Sequence, residues 1–200
     1  MDDILTPRLV LRLMSERFLR ATQGREVEAA ESAIGLRLPK EWFDSPDMVE
    51  RELRLRDEEM IERELRLRVE DPRYIPWSAR AIGLSSSGAM VGHIRFHSPP
   101  DPEYLRPYVG DGVELGYTIF APHRRLGFAS EAIHGLIRWA ATDRGVERFV
   151  VSISPSNTPS TELAAKLGFV KVCEWQDDVD GLEYVYELTG NRLNDLLTTI

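Results

Sequence analysis

The chain has 200 residues, 42% of them hydrophobic and 29% charged, with a formal net charge of −8, a size that suits one domain with a full core. The acidic balance argues against a general nucleic-acid binder, and no run of about 18 apolar residues is present to span a membrane. A lone cysteine, Cys173, excludes an intramolecular disulfide and, with an opening Met1-Asp2-Asp3-Ile4 unlike a signal peptide, fits a reducing cytoplasm.

Residues 8–14 read as a first strand. Ser15 can cap a helix that starts at Glu16 and turns Phe18, Leu19 and Ala21 inward. Residues 24–46 hold two glycines and two prolines, which predicts short helical pieces and loops, with Trp42 and Phe43 as core anchors. The heptapeptide Glu-Arg-Glu-Leu-Arg-Leu-Arg then occurs at 50–56 and again at 62–68. Neither proline nor glycine interrupts 47–71, and these residue types favour helix, so one long helix is predicted. Val49, Leu53, Met60 and Leu67 would share its face, flanked by Ile61 and Leu65. At about 100° per residue the repeat offset turns the pattern by about a third of a revolution, so the two copies cannot offer the same leucines to one core. Seven glutamates between 50 and 70 interleave with the arginines, which argues against a nucleic-acid helix.

Pro72 and Pro76 end that helix, and 79–84 with 89–97 read as a hairpin about Ser85-Ser86-Ser87-Gly88. His93 and His97 point the same way on a strand, but four residues at about 3.3 Å each put their Cα atoms roughly 13 Å apart. That is too far to share an ion, and no metal is expected. Residues 98–112 form a long loop, in which Tyr104 and Tyr108 suit either a lid or a solvated excursion.

Val113 to Phe120 is a short apolar run rich in strand formers, ended by Pro122. Ala129, Ala132, Ile133, Leu136, Ile137 and Ala140 then recur at helical spacing, with Gly145 as the terminator. Arg124-x-x-Gly127-x-Ala129 sits at the join. A helix N-terminus carries unpaired N–H groups and a partial positive charge, which together form an anion site. Gly127 and Ala129 allow close backbone approach, and Arg124 and Arg125 add fixed charge, so a diphosphate-bearing cofactor is expected there. Neither GxGxxG nor a P-loop is present. Arg148–Ser154 reads as another strand, and Thr158 as the cap of a helix closed by Gly168. Residues 169–176 and 182–188 suit a terminal hairpin through Asp180-Gly181. Leu193, Leu196, Leu197 and Ile200 mark a short amphipathic tail over 190–200.

Three segments, in order, resemble a known family. Glu114-Leu-Gly-Tyr117, with Arg124-x-x-Gly127-x-Ala129 and Ser130-Glu131-Ala132, is similar to the acetyl-CoA-binding core of the GNAT N-acetyltransferase superfamily. Asn157-x-x-Ser160-x-x-Leu163-x-x-Lys166-Leu167-Gly168-Phe169 resembles its second cofactor motif. Thr6-Pro7-Arg8-Leu9-Val10-Leu11-Arg12 resembles the opening strand of the ribosomal-protein N-acetyltransferase (RimJ/RimL-like) branch. The resemblance runs from residue 6 to about 189 and matches poorly between 24 and 75.

It implies an α/β (α+β) fold, with a mixed, mostly antiparallel twisted sheet of about six to seven strands flanked by helices. Its fourth and fifth strands would splay apart, within one domain over 1–189. It also implies direct acetyl transfer from acetyl-CoA to an amine, a substrate type that suits a negative chain. Carried over by position, the backbone of Ile119 and Phe120 would meet the pantetheine. The turn of Arg124, Arg125, Leu126, Gly127, Phe128, Ala129 and Ser130 would bind the diphosphate, and Asn157 would hydrogen-bond the cofactor arm. Glu114 is the first candidate base, with room for an acceptor over Gly116, and Asp177 is the second. The tyrosine acid that many GNAT enzymes carry on the helix after Asn157 is missing here, so Ser160 is the branch-specific candidate acid. A catalytically silent acetyl-CoA-binding module of the same fold is the alternative. The duplicated helix would be a solvated one laced with glutamate–arginine pairs, or would reshape substrate access or contact a second copy of the chain.

Overall fold

The computed structural model describes residues 2–39, 48–177 and 181–198, with 48–58 and 177 described by backbone alone. The chain forms two compact units, Met1–Arg95 with Thr118–Phe128, and Phe96–Tyr117 with Ala129–Ile200.

The first unit starts with β1 (Ile4–Leu5) and β2 (Leu9–Leu13), an antiparallel pair. Ser15 then caps α1 (Glu16–Gln23), its side chain accepting from Phe18 N at 3.1 Å, and Phe18, Leu19 and Ala21 are buried as the spacing predicts. After α2 (Val27–Ile34) comes α3 (Met48–Glu70), within a residue of the expected long helix. A 3-10 turn over Pro72–Trp77 leads to β3 (Arg80–Leu84) and β4 (Met90–Phe96), of which all but the last residue belong to this unit. Strands β2–β3 and β3–β4 pair antiparallel. The core between sheet and helices gathers Met14, Phe18, Leu19, Ile34, Met60 and Ile61.

The inner face of α3 differs from the expected one. Met60 and Ile61 are buried, but the residue one turn on, Glu64, is fully buried, whereas Leu67 is only half-buried. Glu64 accepts from Tyr74 Oη at 2.6 Å, Ala79 N at 3.0 Å and Arg95 at 3.3 Å, with Arg68 at 3.5 Å. Arg68 in turn donates to Met14 O and Ser78 Oγ. Hydrophobic periodicity misses this anchor because a fully paired carboxylate takes the place of a core leucine. The expected roles of Val49 and Leu53, and of Trp42 and Phe43, lie outside the described residues.

In the second unit, residues 98–112 are no solvated excursion. They carry α4 (Arg106–Val109), and Leu105 and Val109 are buried against Val150 and Val185. Tyr108 stacks on Trp175 with ring centroids 4.6 Å apart. Then follow β5 (Val113–Ile119), α5 (Phe128–Arg144), β6 (Arg148–Ile153), α6 (Thr158–Lys166), β7 (Val170–Asp177), β8 (Gly181–Thr189) and α7 (Gly190–Thr198). Residues 118–119 of β5 and the first residue of α5 fall in the other unit. The tail is helical, with Leu193 and Leu196 buried.

Among the described residues there are eight strands, in the order β1-β2-β3-β4 in the first unit and β5-β6-β8-β7 in the second. β8 pairs antiparallel with β6 and with β7, while β5 and β6 run parallel. The count exceeds the expected six or seven because of β1, whose two residues are too short for periodicity to reveal. The β5–β6 register holds only Val113↔Phe149 and Glu114↔Val150. This is the pair expected to part, and its ladder stops at Glu114.

Candidate active site

Glu114 sits where that parallel ladder ends. His97 follows β4 directly, and its backbone N–H donates to Glu114 O at 2.8 Å, which holds the two residues side by side. Their side chains meet as well, with His97 Nδ1 3.3 Å from Glu114 Oε2. The same oxygen accepts from Tyr104 Oη at 2.9 Å, and Ser152 on β6 also hydrogen-bonds the carboxylate. Glycine is required two residues along β5. A Cβ built on Gly116 would lie 2.6 Å from His97 Nε2, so the imidazole covers the bare backbone there.

The carboxylate is firmly ionised. Burial pushes the Glu114 carboxyl up, but His97 and the hydrogen bonds from His97, Ser152 and Tyr104 outweigh it and bring it down to about 2. A carboxylate held so low is a weak proton acceptor at neutral pH. Its geometry is that of a group that orients an imidazole.

A second pair lies further along the same unit. Tyr117 Oη on β5 donates to Ser160 Oγ on α6 at 3.1 Å. Burial raises the Tyr117 hydroxyl above its ordinary value, and the bond to Ser160 only partly offsets this, so the phenol stays protonated. α6 starts with Asn157, not Thr158, as its cap, and Asn157 Oδ1 accepts from Ser160 N at 3.3 Å. Asn157 therefore fixes the backbone of Ser160, and its exposed side-chain amide retains N–H donors.

In the first unit, the turn from Arg124 to Gly127 is exposed and holds two left-handed residues, Arg125 (φ 62) and Gly127 (φ 82). Arg8, from the start of the chain, braces it. Its Nη1 donates to Leu126 O at 3.1 Å, and its guanidinium lies 4.8 Å from the centre of the Phe128 ring. Arg124 Nε donates to Ile119 O at 2.9 Å.

A family model described as an acetyltransferase (GNAT) domain matches residues 8–170. The chain belongs to the GNAT acetyltransferase family. GNAT acetyltransferases use acetyl-CoA as acyl donor. The chain is 36% identical over 83 residues to the N-acetyltransferase p20 of Bacillus licheniformis, 42% of each protein. It spans 42 to 64% of the lengths of the curated relatives it matches. The fold is similar to a solved GNAT-family acetyltransferase from Bordetella pertussis, with TM-score 0.63, 22% identity, and 94% of this chain and 99% of that one covered. It is also similar to a ribosomal-protein-serine acetyltransferase from Vibrio cholerae, with TM-score 0.60, 18% identity, and 94% and 98% covered.

Within this GNAT fold, the structure brings Glu114, His97, Tyr104 and Ser152 together, and separately Tyr117, Ser160 and Asn157. The space over Gly116, expected to receive an acceptor, is filled by the His97 ring. The Phe120 amide, expected at the pantetheine, donates to Val91 O at 2.9 Å, and Phe120 O accepts from His123 N. Asp177 ends β7 opposite Gly181, but its side chain lies outside the described residues, as does the hairpin turn at Asp180. The sequence reading named His97, Tyr104, Tyr117 and Arg8 but gave none of them a catalytic or cofactor-binding role. Tyr117 and Arg8 stand inside the motifs that pointed to GNAT, so the signal for both was present.

Proposed function

We propose that this chain transfers an acetyl group from acetyl-CoA directly to a primary amine, either a protein N-terminal α-amine or a small amine. The carrying observation is the ionised Glu114, paired with His97 where the β5–β6 ladder stops.

The diphosphate is assigned to the turn of Arg124, Arg125, Leu126, Gly127 and Phe128 and to the first residues of α5, Ala129 and Ser130. The turn suits that guest. It is exposed from Arg124 to Gly127, and Gly127 offers its backbone with only Arg8 Nη2 within reach of a Cβ, at 3.3 Å. The Asn157 side-chain amide and the carbonyls of Ile119 and Phe120 are assigned to the pantetheine arm.

Acetyl-CoA supplies a thioester carbonyl activated toward amines. The amine nitrogen attacks that carbonyl carbon, the C–N bond forms, the C–S bond breaks, and the sulfur leaves. Ser160 donates its hydroxyl proton to the departing sulfur and is resupplied by Tyr117 Oη, which recovers a proton from water, and the proton shed by the amine is delivered to water. A thiol leaves as thiolate at a cost of only about 2 kcal/mol at pH 7, so this proton donor is an aid and not a requirement.

The acceptor must react as neutral amine. Deprotonating a lysine amine at pH 7 costs roughly 4–5 kcal/mol, against about 1 kcal/mol for an α-amine. A site with one modest base therefore favours an α-amine. The name of the Vibrio cholerae neighbour, a ribosomal-protein-serine acetyltransferase, makes N-terminal serine peptides the first acceptors to try. The test is incubation of the purified chain with acetyl-CoA and a panel of N-terminal peptides, lysine peptides and small amines, read by free thiol and acceptor mass. Thiol release matched by N-acetylated product is expected. Tight CoA binding with no acetylated amine across the panel would favour the silent module.

A further inference from the structure

We infer that His97 Nε2 is the base that takes the proton from the acceptor amine, and that Glu114 is a positioning residue that holds the imidazole for it. The inference rests on the acetyl-transfer reading and adds a residue to it.

Three observations converge on His97. With Nδ1 against Glu114 Oε2 at 3.3 Å, the neutral ring carries its proton on Nδ1 and presents a lone pair at Nε2. Nε2 lies over Gly116, where any side chain on β5 would displace it, so the sequence keeps that position open for the ring. The His97 side chain retains 25% of its surface while that of Glu114 retains 8%. The imidazole, and not the carboxylate, is thus the member of the pair within reach of a substrate. The carboxylate is already engaged by three residues, His97, Tyr104 and Ser152. The groups that face the imidazole are Glu114 from β5 and Tyr104 from the preceding loop, the latter through the oxygen it shares with Nδ1.

In the step itself, the proton leaves the attacking nitrogen as the C–N bond forms and is received by the Nε2 lone pair. His97 becomes imidazolium, stabilised by the Glu114 carboxylate, and then releases its proton to water. No other reactant is needed.

The test compares wild type, H97Q, H97A, E114Q and G116A, each first shown to fold and to bind CoA by melting and calorimetry. The pH dependence of kcat/KM for the best acceptor of the panel is then measured, with NMR assigning the titration of His97. The wild-type rate should rise through the pH at which His97 titrates. H97Q and H97A should lose that rise and fall roughly 100- to 10,000-fold, and free imidazole should restore part of the H97A rate. E114Q should keep the pH-dependent rise but run slower at every pH, because the base remains while its positioning is lost. G116A should resemble H97A, since its new methyl displaces the ring. An H97Q enzyme with wild-type rate and pH profile overturns this inference alone. A wild type that binds CoA but releases no thiol with any amine overturns it together with the acetyl-transfer reading.

Discussion

Tyr117 Oη and Ser160 Oγ lie 3.1 Å apart, joining the strand that carries Glu114 to the helix that Asn157 caps. In the proposed reaction this contact would supply a proton to a leaving group that needs little help. Since thiolate departure costs about 2 kcal/mol at pH 7, losing the donor cannot slow the reaction by more than roughly 30-fold. S160A should approach that limit and Y117F should fall short of it, both through kcat and with KM for acetyl-CoA unchanged. Steady-state kinetics with a fixed acceptor checks this, and a loss of several thousandfold would show that Ser160 does something else.

Glu64 anchors α3. It is fully buried among Tyr74, Ala79 N, Arg95 and Arg68, and burial pulls Arg68 below its ordinary value although Glu64 opposes this. Removing one member leaves two guanidinium groups facing a void, so E64A should lose roughly 3–5 kcal/mol in urea unfolding. Glutamate–arginine pairs on exposed helix surface are worth only a few tenths of a kcal/mol. E62A, at an exposed position of the same helix, should therefore leave the midpoint almost unmoved.

Glu114 ties stability to acid. Its carboxyl is brought from 4.5 to about 2 in the folded chain, so its stabilisation is complete above about pH 4.5 and is lost as pH falls through 2. The full contribution is roughly 3 kcal/mol. Between about pH 6 and about pH 3, wild type should lose more stability than E114Q does, measured by denaturant melts at each pH. Parallel curves for the two proteins would mean that the carboxylate is not held down in the fold.

The turn before α5 stores backbone strain at Arg125, whose φ of 62 costs a non-glycine residue about 1–2 kcal/mol. R125G should raise the melting temperature while weakening CoA binding through loss of a charge. G127A should do the reverse to stability, because Gly127 has φ 82 and its new Cβ would crowd Arg8. Differential scanning calorimetry and CoA titration separate the two effects.

Much of this was legible along the chain. The strand–turn–helix at 113–144 and the Ser15 cap follow from local rules of spacing and capping, and the three motifs named the family. The sequence could not show which side chains meet across the sheet. His97 reads as one of two strand histidines until the backbone bond to Glu114 puts its ring over Gly116. Tyr104 lies in a loop that suited either a lid or a solvated excursion, and Leu105 and the Tyr108–Trp175 stack pin it down. Glu64 was hidden by its own duplication, because the same heptapeptide at 50–56 is rotated about a third of a turn and carries no mark to tell the copies apart.

The central claim is that this chain joins the acyl group of acetyl-CoA to an amine. It is tested most directly by following carbon-13-labelled acetyl-CoA with the purified protein and the acceptor panel, by NMR and mass spectrometry. The account predicts that the label appears in an amide on at least one amine, matched mole for mole by free CoA thiol, and fastest with an α-amine. Label that stays in the thioester, or appears only as free acetate, would contradict it.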